Sequence, residues 1–149
     1  MDEASRARAI NTLKKIPVFS GLQQDEYEEF LSICKVSAIK HGEAIFHEND
    51  ASEGMYILLS GEVEMHTKSS GCVYVMKPGD LFGEIGVIGQ KRRTASAIAG
   101  EDSTLLDLHK DKFDFLLGEN PVLSSKVMRN VAKVLAERLL EASSPRYLL

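Results

Sequence analysis

The sequence predicts a mainly β domain, an antiparallel barrel or sandwich with helices at both ends, and three observations carry that expectation. Between Val36 and His109 apolar residues alternate along short runs, as in Met55-Ile57-Leu59, Val63-Met65 and Val73-Val75, which is the period of a strand. Glycine-bearing turns separate those runs: His41-Gly42, Ser60-Gly61, Ser69-Ser70-Gly71 and Pro78-Gly79. On either side of this section the apolar spacing becomes helical.

The chain has 149 residues, the length of one domain with one substantial core. Residues 1–149 therefore read as a single domain: an N-terminal helical segment over 1–35, the strand-rich section over 36–109 and C-terminal helices over 110–142. Ala4 to Lys15 reads as the first helix, interrupted where Pro17 disfavours helical geometry at Ile16. Asp25 to Cys34 reads as the second, with Tyr27, Phe30, Leu31 and Cys34 on one face. Asp111 to Leu117 follows the strands and is expected to stop at Gly118. Pro121 then opens a longer helix reaching about Ala142, ahead of Ser143-Ser144-Pro145. Its stripe of Val127, Val131, Val134, Leu135, Leu139 and Leu140 predicts docking against the barrel, with a protruding dimer helix as the lesser alternative.

Lys plus Arg number 18 and Asp plus Glu 22, a net charge of −4, which argues against a broad nucleic-acid surface but not against a small basic pocket. No apolar run is long enough for a membrane span, and Met1-Asp2-Glu3 lacks the basic start of a signal peptide. Cys34 and Cys72 are too few and too isolated for a disulfide framework or a zinc site, so a reduced, cytoplasmic setting is expected. His41, His47, His66 and His109 match no metal-ligand spacing, and no nucleophile–base constellation or catalytic carboxylate pair stands out. The expectation is a binding module, without enzyme activity, metal or resident cofactor.

The informative stretch runs from Leu81 to Ala97, Leu-Phe-Gly-Glu-Ile-Gly-Val-Ile-Gly-Gln-Lys-Arg-Arg-Thr-Ala-Ser-Ala. Gly83 has no side chain, so a ligand can approach its backbone closely. A helical turn over Glu84 to Ile88 would offer unpaired amides to an anion. Arg93 supplies a rigid cationic fork that suits phosphate oxygens, and Arg92, its neighbour in an extended segment, is expected on the opposite, solvent face. Glu84 is an acceptor that opposes phosphate but suits a hydroxyl donor beside it, such as a ribose 2′-OH. One acid and one base aimed at adjacent groups describe a cyclic ribose phosphate.

This stretch resembles the phosphate-binding cassette of the cyclic-nucleotide-binding domain family, which includes catabolite activator proteins, regulatory subunits of cyclic-AMP-dependent protein kinase and cyclic-nucleotide-gated channels. Phe82-Gly83-Glu84-Ile85 followed by Arg92-Arg93-Thr94-Ala95 is most similar to the channel form. Further similarity lies in His41 to Asp50, in Met55 to Val63 and in Ile16-Pro17-Val18-Phe19, so it covers about Ile16 to Leu140. Asn49 stands where the family usually has glycine, a position Asn tolerates in left-handed geometry.

The resemblance implies an antiparallel β-roll of the jelly-roll, double-stranded β-helix type, with N-terminal helices, a short cassette helix and C-terminal helices. It also implies a ligand, cyclic AMP or cyclic GMP, with Phe82, Gly83, Glu84 and Ile85 in the cassette and Gly83 and Glu84 on the ribose. Arg93 would hold the phosphate, with Thr94 and Ala95 adding hydroxyl and backbone donors; Thr94 is compatible with either base. Val63 and Met65 share a strand face that suits a planar base, with plain barrel core as an equal alternative for both. The last helix would close over that base through Arg138, with Val134, Leu135 or Ala142 as alternatives at a different alignment.

The implied function is a cyclic nucleotide sensor that signals by repositioning its C-terminal helix. The partner is the nucleotide itself, and a second copy or an effector domain beyond this chain would read the shift. Two other readings compete. One is a fragment of a catabolite-activator-type transcription regulator, for whose helix-turn-helix the chain leaves no room after the long helix. The other is a metal-dependent cupin enzyme on a related barrel.

Overall fold

The structure is a computed structural model that describes residues 2–84, 89 and 91–142, with Arg138 and Ala142 described by backbone alone. Its strands are β1 (Cys34–Ile39), β2 (Ala44–Phe46), β3 (Gly54–Ser60), β4 (Val63–Thr67), β5 (Gly71–Met76), β6 (Leu81–Phe82), β7 (Ser96–Ala99) and β8 (Ser103–His109). They form two four-stranded antiparallel sheets, ordered β1-β8-β3-β6 and β2-β7-β4-β5. This is the antiparallel roll expected, and helices flank it: α1 (Glu3–Lys15), a 3-10 turn (Pro17–Phe19), α2 (Gln24–Ser32), α3 (Lys110–Glu119) and α4 (Pro121–Ala142).

Period-two alternation sorts the apolar residues into two layers. Met55 and Ile57 of β3, Leu81 of β6, and Leu106 and Leu108 of β8 leave the roll on one side and pack under the helices, against Leu13, Phe19, Phe30, Phe113, Leu123 and Val127. Leu58, Phe82 and Leu105, from the same strands, turn inward to meet Phe46, Val63 and Ala97. The first sheet is therefore apolar on both faces, and the Met55-Ile57 stripe that marks β3 in the sequence belongs to the helical layer.

Two boundaries differ from expectation. The second helix ends at Ser32, and Cys34 opens β1 opposite Leu108, so the strand section begins two residues before Val36. Six consecutive partners along β8 outweigh the helical spacing of a single cysteine. The helix after the strands runs through Gly118 to Glu119, since one glycine in a last turn costs only about 1 kcal/mol. It stops at Asn120 because Pro121 excludes helical geometry from the residue before it.

Helix α4 is fixed to the N-terminal segment by side chains as well as by Leu123, Val127 and Val131. Asn130 Nδ2 donates to the carbonyls of Val18 (3.1 Å) and Ser20 (2.8 Å). Asn120 Oδ1 caps the helix at Leu123 N (3.1 Å), while its Nδ2 reaches Glu29 (3.2 Å). Beyond Val134 the stripe becomes exposed among the described residues, at Leu135, Leu139 and Leu140. No helix of the described residues is long and apolar enough to cross a membrane.

The Lys126 ammonium donates to Glu26 Oε1 at 2.7 Å and holds that carboxyl below its ordinary value, opposed by burial and assisted by the Gln23 amide. A carboxyl depressed in the folded state stabilises fully above its unfolded pKa and loses that stabilisation as pH falls through the folded value. The pair is partly exposed, so its share is at most about 1 kcal/mol. Urea unfolding across a pH series should show the native chain losing stability on acidification below about pH 5 more steeply than Lys126→Met. Parallel acid limbs in the two proteins would contradict the coupling.

Candidate functional site

Among the described residues Arg93 is the buried cation, only 4% exposed. Its backbone is held by the β2–β3 turn: Arg93 N donates to Asp50 O and Asn49 N donates to Arg93 O, both at 2.9 Å. That turn needs Asn49 in the left-handed region, at φ 74°, which the side chain of Asn tolerates. Extended geometry then sends Arg92 outward, where its Nη1 meets Asn49 O at 3.0 Å, and Arg93 inward.

Inside, Arg93 Nη1 donates to Gly83 O (2.9 Å) and Nη2 to Gly54 O (2.6 Å). The guanidinium lies over the Phe46 ring, 4.1 Å from its centroid, with Tyr56 at 5.9 Å. Tyr56 in turn stacks on Phe82 at 5.4 Å. Burial lowers the Arg93 pKa, opposed by Tyr56, Asp50, Glu53 and Glu84, and raises that of the Tyr56 phenol. Arginine nevertheless stays charged. Among the described residues no carboxylate forms an ion pair with it, and its Nε–H is buried without a partner. A buried cation served by carbonyl dipoles and ring faces, with one donor unmet, suits an anion.

Arg93 borders a cavity of about 510 Å³, inside the roughly 300–1,000 Å³ span of small-molecule sites. Three parts of the fold meet around it. The roll contributes Phe46, Met65, Tyr74, Met76, the segment 79–84 and Arg93-Thr94-Ala95; the N-terminal turn contributes Ile16, Pro17 and Val18; α4 contributes Val131, Val134, Leu135 and Glu141. Among the described residues it therefore combines an apolar wall, one buried cation and acidic groups at Asp80, Glu84 and Glu141.

Of the residues singled out in the sequence, Phe82, Gly83, Glu84, Met65, Arg93, Thr94 and Ala95 line this cavity together. Val63 does not. It shares the Met65 face but sits deeper, fully buried against Leu58, Phe82, Ala97 and Leu105, so it belongs to the core beneath the cavity. Ile85 and the rest of the expected cassette helix lie outside the described residues, as do the side chains of Arg138 and Ala142. The alternatives Val134 and Leu135 are on the cavity wall.

Sequence reasoning missed Tyr74 and Met76. The apolar alternation on β5 pointed to Val73 and Val75, whereas the pairs Met65–Tyr74 and Val63–Met76 carry the face turned inward. The signal was present in the strand's other parity, Tyr74 and Met76, which is also apolar. The N-terminal turn was missed as a wall because nothing local brings residues 16–18 to a strand section far along the chain.

The family model of the cyclic nucleotide-binding domain matches residues 36–120. The chain belongs to the cyclic nucleotide-binding domain family. It is 33% identical over 134 residues to the cyclic AMP receptor protein of Thermus thermophilus, covering 87% of this chain and 60% of that one. A cAMP-dependent protein kinase regulatory subunit of Yarrowia lipolytica is 34% identical over 112 residues, 74% of this chain and 29% of the relative. The crystal structure of Thermus thermophilus catabolite activator protein superposes with a TM-score of 0.74 at 34% identity, over 85% of this chain and 59% of that one. The chain spans about three fifths of the first of these relatives and under a third of the second. The β-roll of this cyclic nucleotide-binding domain is thus the family's fold.

Gly83 is the geometric partner of Arg93. Its φ is +82°, and a Cβ there would stand 2.7 Å from Arg93 Nη1. Gly83→Ala should cost about 1–3 kcal/mol, from left-handed strain plus displacement of the guanidinium, read as a lower urea midpoint. A midpoint equal to that of the native chain would mean that the Gly83–Arg93 contact is not structural.

Proposed function

We propose that this chain is a regulatory receptor for cyclic AMP or cyclic GMP, a ligand-binding module without chemistry of its own. The observation that carries this reading is the buried Arg93, unpaired with any described carboxylate and beside a cavity of nucleotide scale. A cyclic phosphodiester bears one negative charge and fits the charge left unmatched there. Arg93 and the Thr94-Ala95 segment would take the phosphate, and Glu84, half-buried on the same cavity, would accept from the ribose hydroxyl. Phe82 and Gly83 shape the close approach, with Ile85 following in the cassette. Met65, Tyr74 and Met76 offer an adaptable apolar surface for the base.

Signalling would run through α4. The helix contributes Val131, Val134 and Leu135 to the cavity while resting on the N-terminal turn, so a ligand that contacts it shifts its position by favouring one arrangement over another. Arg138 or Leu135 would cover the base. The relatives, a cyclic AMP receptor protein and a cAMP-dependent protein kinase regulatory subunit, support a regulator acting through a further domain or a second copy. A second reading, the sensing portion of a transcription regulator, is favoured by the likeness to the N-terminal domain of a transcriptional regulator from Streptomyces coelicolor, at 25% identity and a TM-score of 0.80.

Calorimetry with both cyclic nucleotides tests the proposal. Each charged hydrogen bond contributes roughly 1.5–3 kcal/mol, so Arg93→Leu should weaken binding by about ten- to a hundred-fold or more. Arg93→Lys should fall between, keeping the charge and losing the fork. Glu84→Ala should also weaken binding, with folding of each variant verified by circular dichroism. Unchanged affinity in Arg93→Leu and Glu84→Ala would refute the assignment.

A further inference from the structure

On the β4–β5 hairpin, outside the cavity, Glu64, His66 and Cys72 present one carboxylate oxygen, one imidazole nitrogen and one sulfur, all within 4.8 Å of one another. Cys72 is isolated in sequence and His66 matches no metal-ligand spacing there; the fold brings the two together. Glu64 and His66 stand two apart on β4 and share a face, with His66 Nε2 and Glu64 Oε1 at 2.9 Å.

Cys72 reaches that face through a break in register. Met65 pairs with Tyr74, but His66 pairs with Cys72 rather than with Val73. Val73 is the extra residue of a β-bulge, which reverses the side-chain parity beyond it. In a regular ladder Cys72 would oppose Thr67 and share the inward parity of Tyr74 and Met76. The bulge sets it beside His66 instead, and it is exposed there.

We propose that Glu64, His66 and Cys72 form a binding site for a divalent transition-metal ion, with zinc the best match. A thiolate, an imidazole and a carboxylate are the donor types of tetrahedral zinc sites, and calcium or magnesium would not select sulfur. Tetrahedral zinc holds such donors roughly 3.3–3.5 Å apart. Closing the three atoms onto one ion therefore takes side-chain adjustments of about an ångström. Binding displaces the thiol proton from Cys72, and His66 coordinates through Nε2 with its proton on Nδ1. The fourth position is left to water, since all three side chains are partly exposed. The ion ties β4 to β5 at the bulge, one residue from the Met65–Tyr74 pair on the cavity wall.

Cobalt(II) and zinc titrations of the full chain, kept reduced, test the site. One equivalent of cobalt should produce a thiolate-to-metal charge-transfer band that zinc abolishes. Cys72→Ser should lose the band, and Cys72→Ser and His66→Ala should each weaken zinc binding by at least about tenfold. Zinc should also protect Cys72 of the native chain from alkylation, read by mass spectrometry, which requires no variant to fold. A native chain that shows neither band nor protection would overturn the proposal, as would a band that survives in Cys72→Ser.

Discussion

A guanidinium buried within the roll, held by two glycine-residue carbonyls and laid on the faces of Phe46 and Tyr56, is the constraint around which the rest of this molecule is arranged. Removing an arginine from water is costly unless dipoles or an anion replace the lost hydration. Here the dipoles come from Gly54 and Gly83, which lie far apart in sequence, and the rings come from two different sheets. The position of Arg93 therefore depends on the closure of the roll. Its unmet Nε–H means that the protein's own described groups stop short of full compensation.

That arrangement explains where the cavity sits. The roll interior is filled at the level of Leu58, Val63, Phe82 and Leu105, and the cavity opens next to that layer, with Phe82 on its wall. The opening is walled by Pro17 and Val18 on one side and by Val131, Val134 and Leu135 on another. Asn130 binds those two walls together through the Val18 and Ser20 carbonyls, and Lys126 joins α4 to Glu26. A ligand at Arg93 thus meets the roll, the N-terminal turn and α4 in one cavity, which is the mechanical basis for reading occupancy as a change in helix position.

Much of this was legible in the sequence because its signals are local. Period-two runs and glycine turns marked the strands, and Pro121 marked the start of the last helix, as its ring geometry allows at a first helical position. Gly83, Glu84 and Arg93 stood out because Phe-Gly-Glu-Ile followed by Arg-Arg-Thr-Ala, after glycine-punctuated strands, resembles the family's phosphate cassette, and the fold brings all three to one cavity. What was hidden depends on depth or distance. Val63 and Met65 share a face, and only the packing of Phe82 and Leu105 tells which one reaches the cavity. Tyr74 was masked by Val73 and Val75, and Cys72 by a bulge that no residue of β5 announces. Cys34 joined a strand because its partners on β8 lie more than seventy positions away.

The most direct measurement follows the Arg93 Nε–H resonance by proton–nitrogen NMR while cyclic AMP or cyclic GMP is added. If the buried donor is kept for a cyclic phosphate, that resonance moves in step with ligand occupancy and stays put when linear nucleoside monophosphates are added instead. Saturation of the protein by a cyclic nucleotide with the Arg93 signal unmoved would contradict the account.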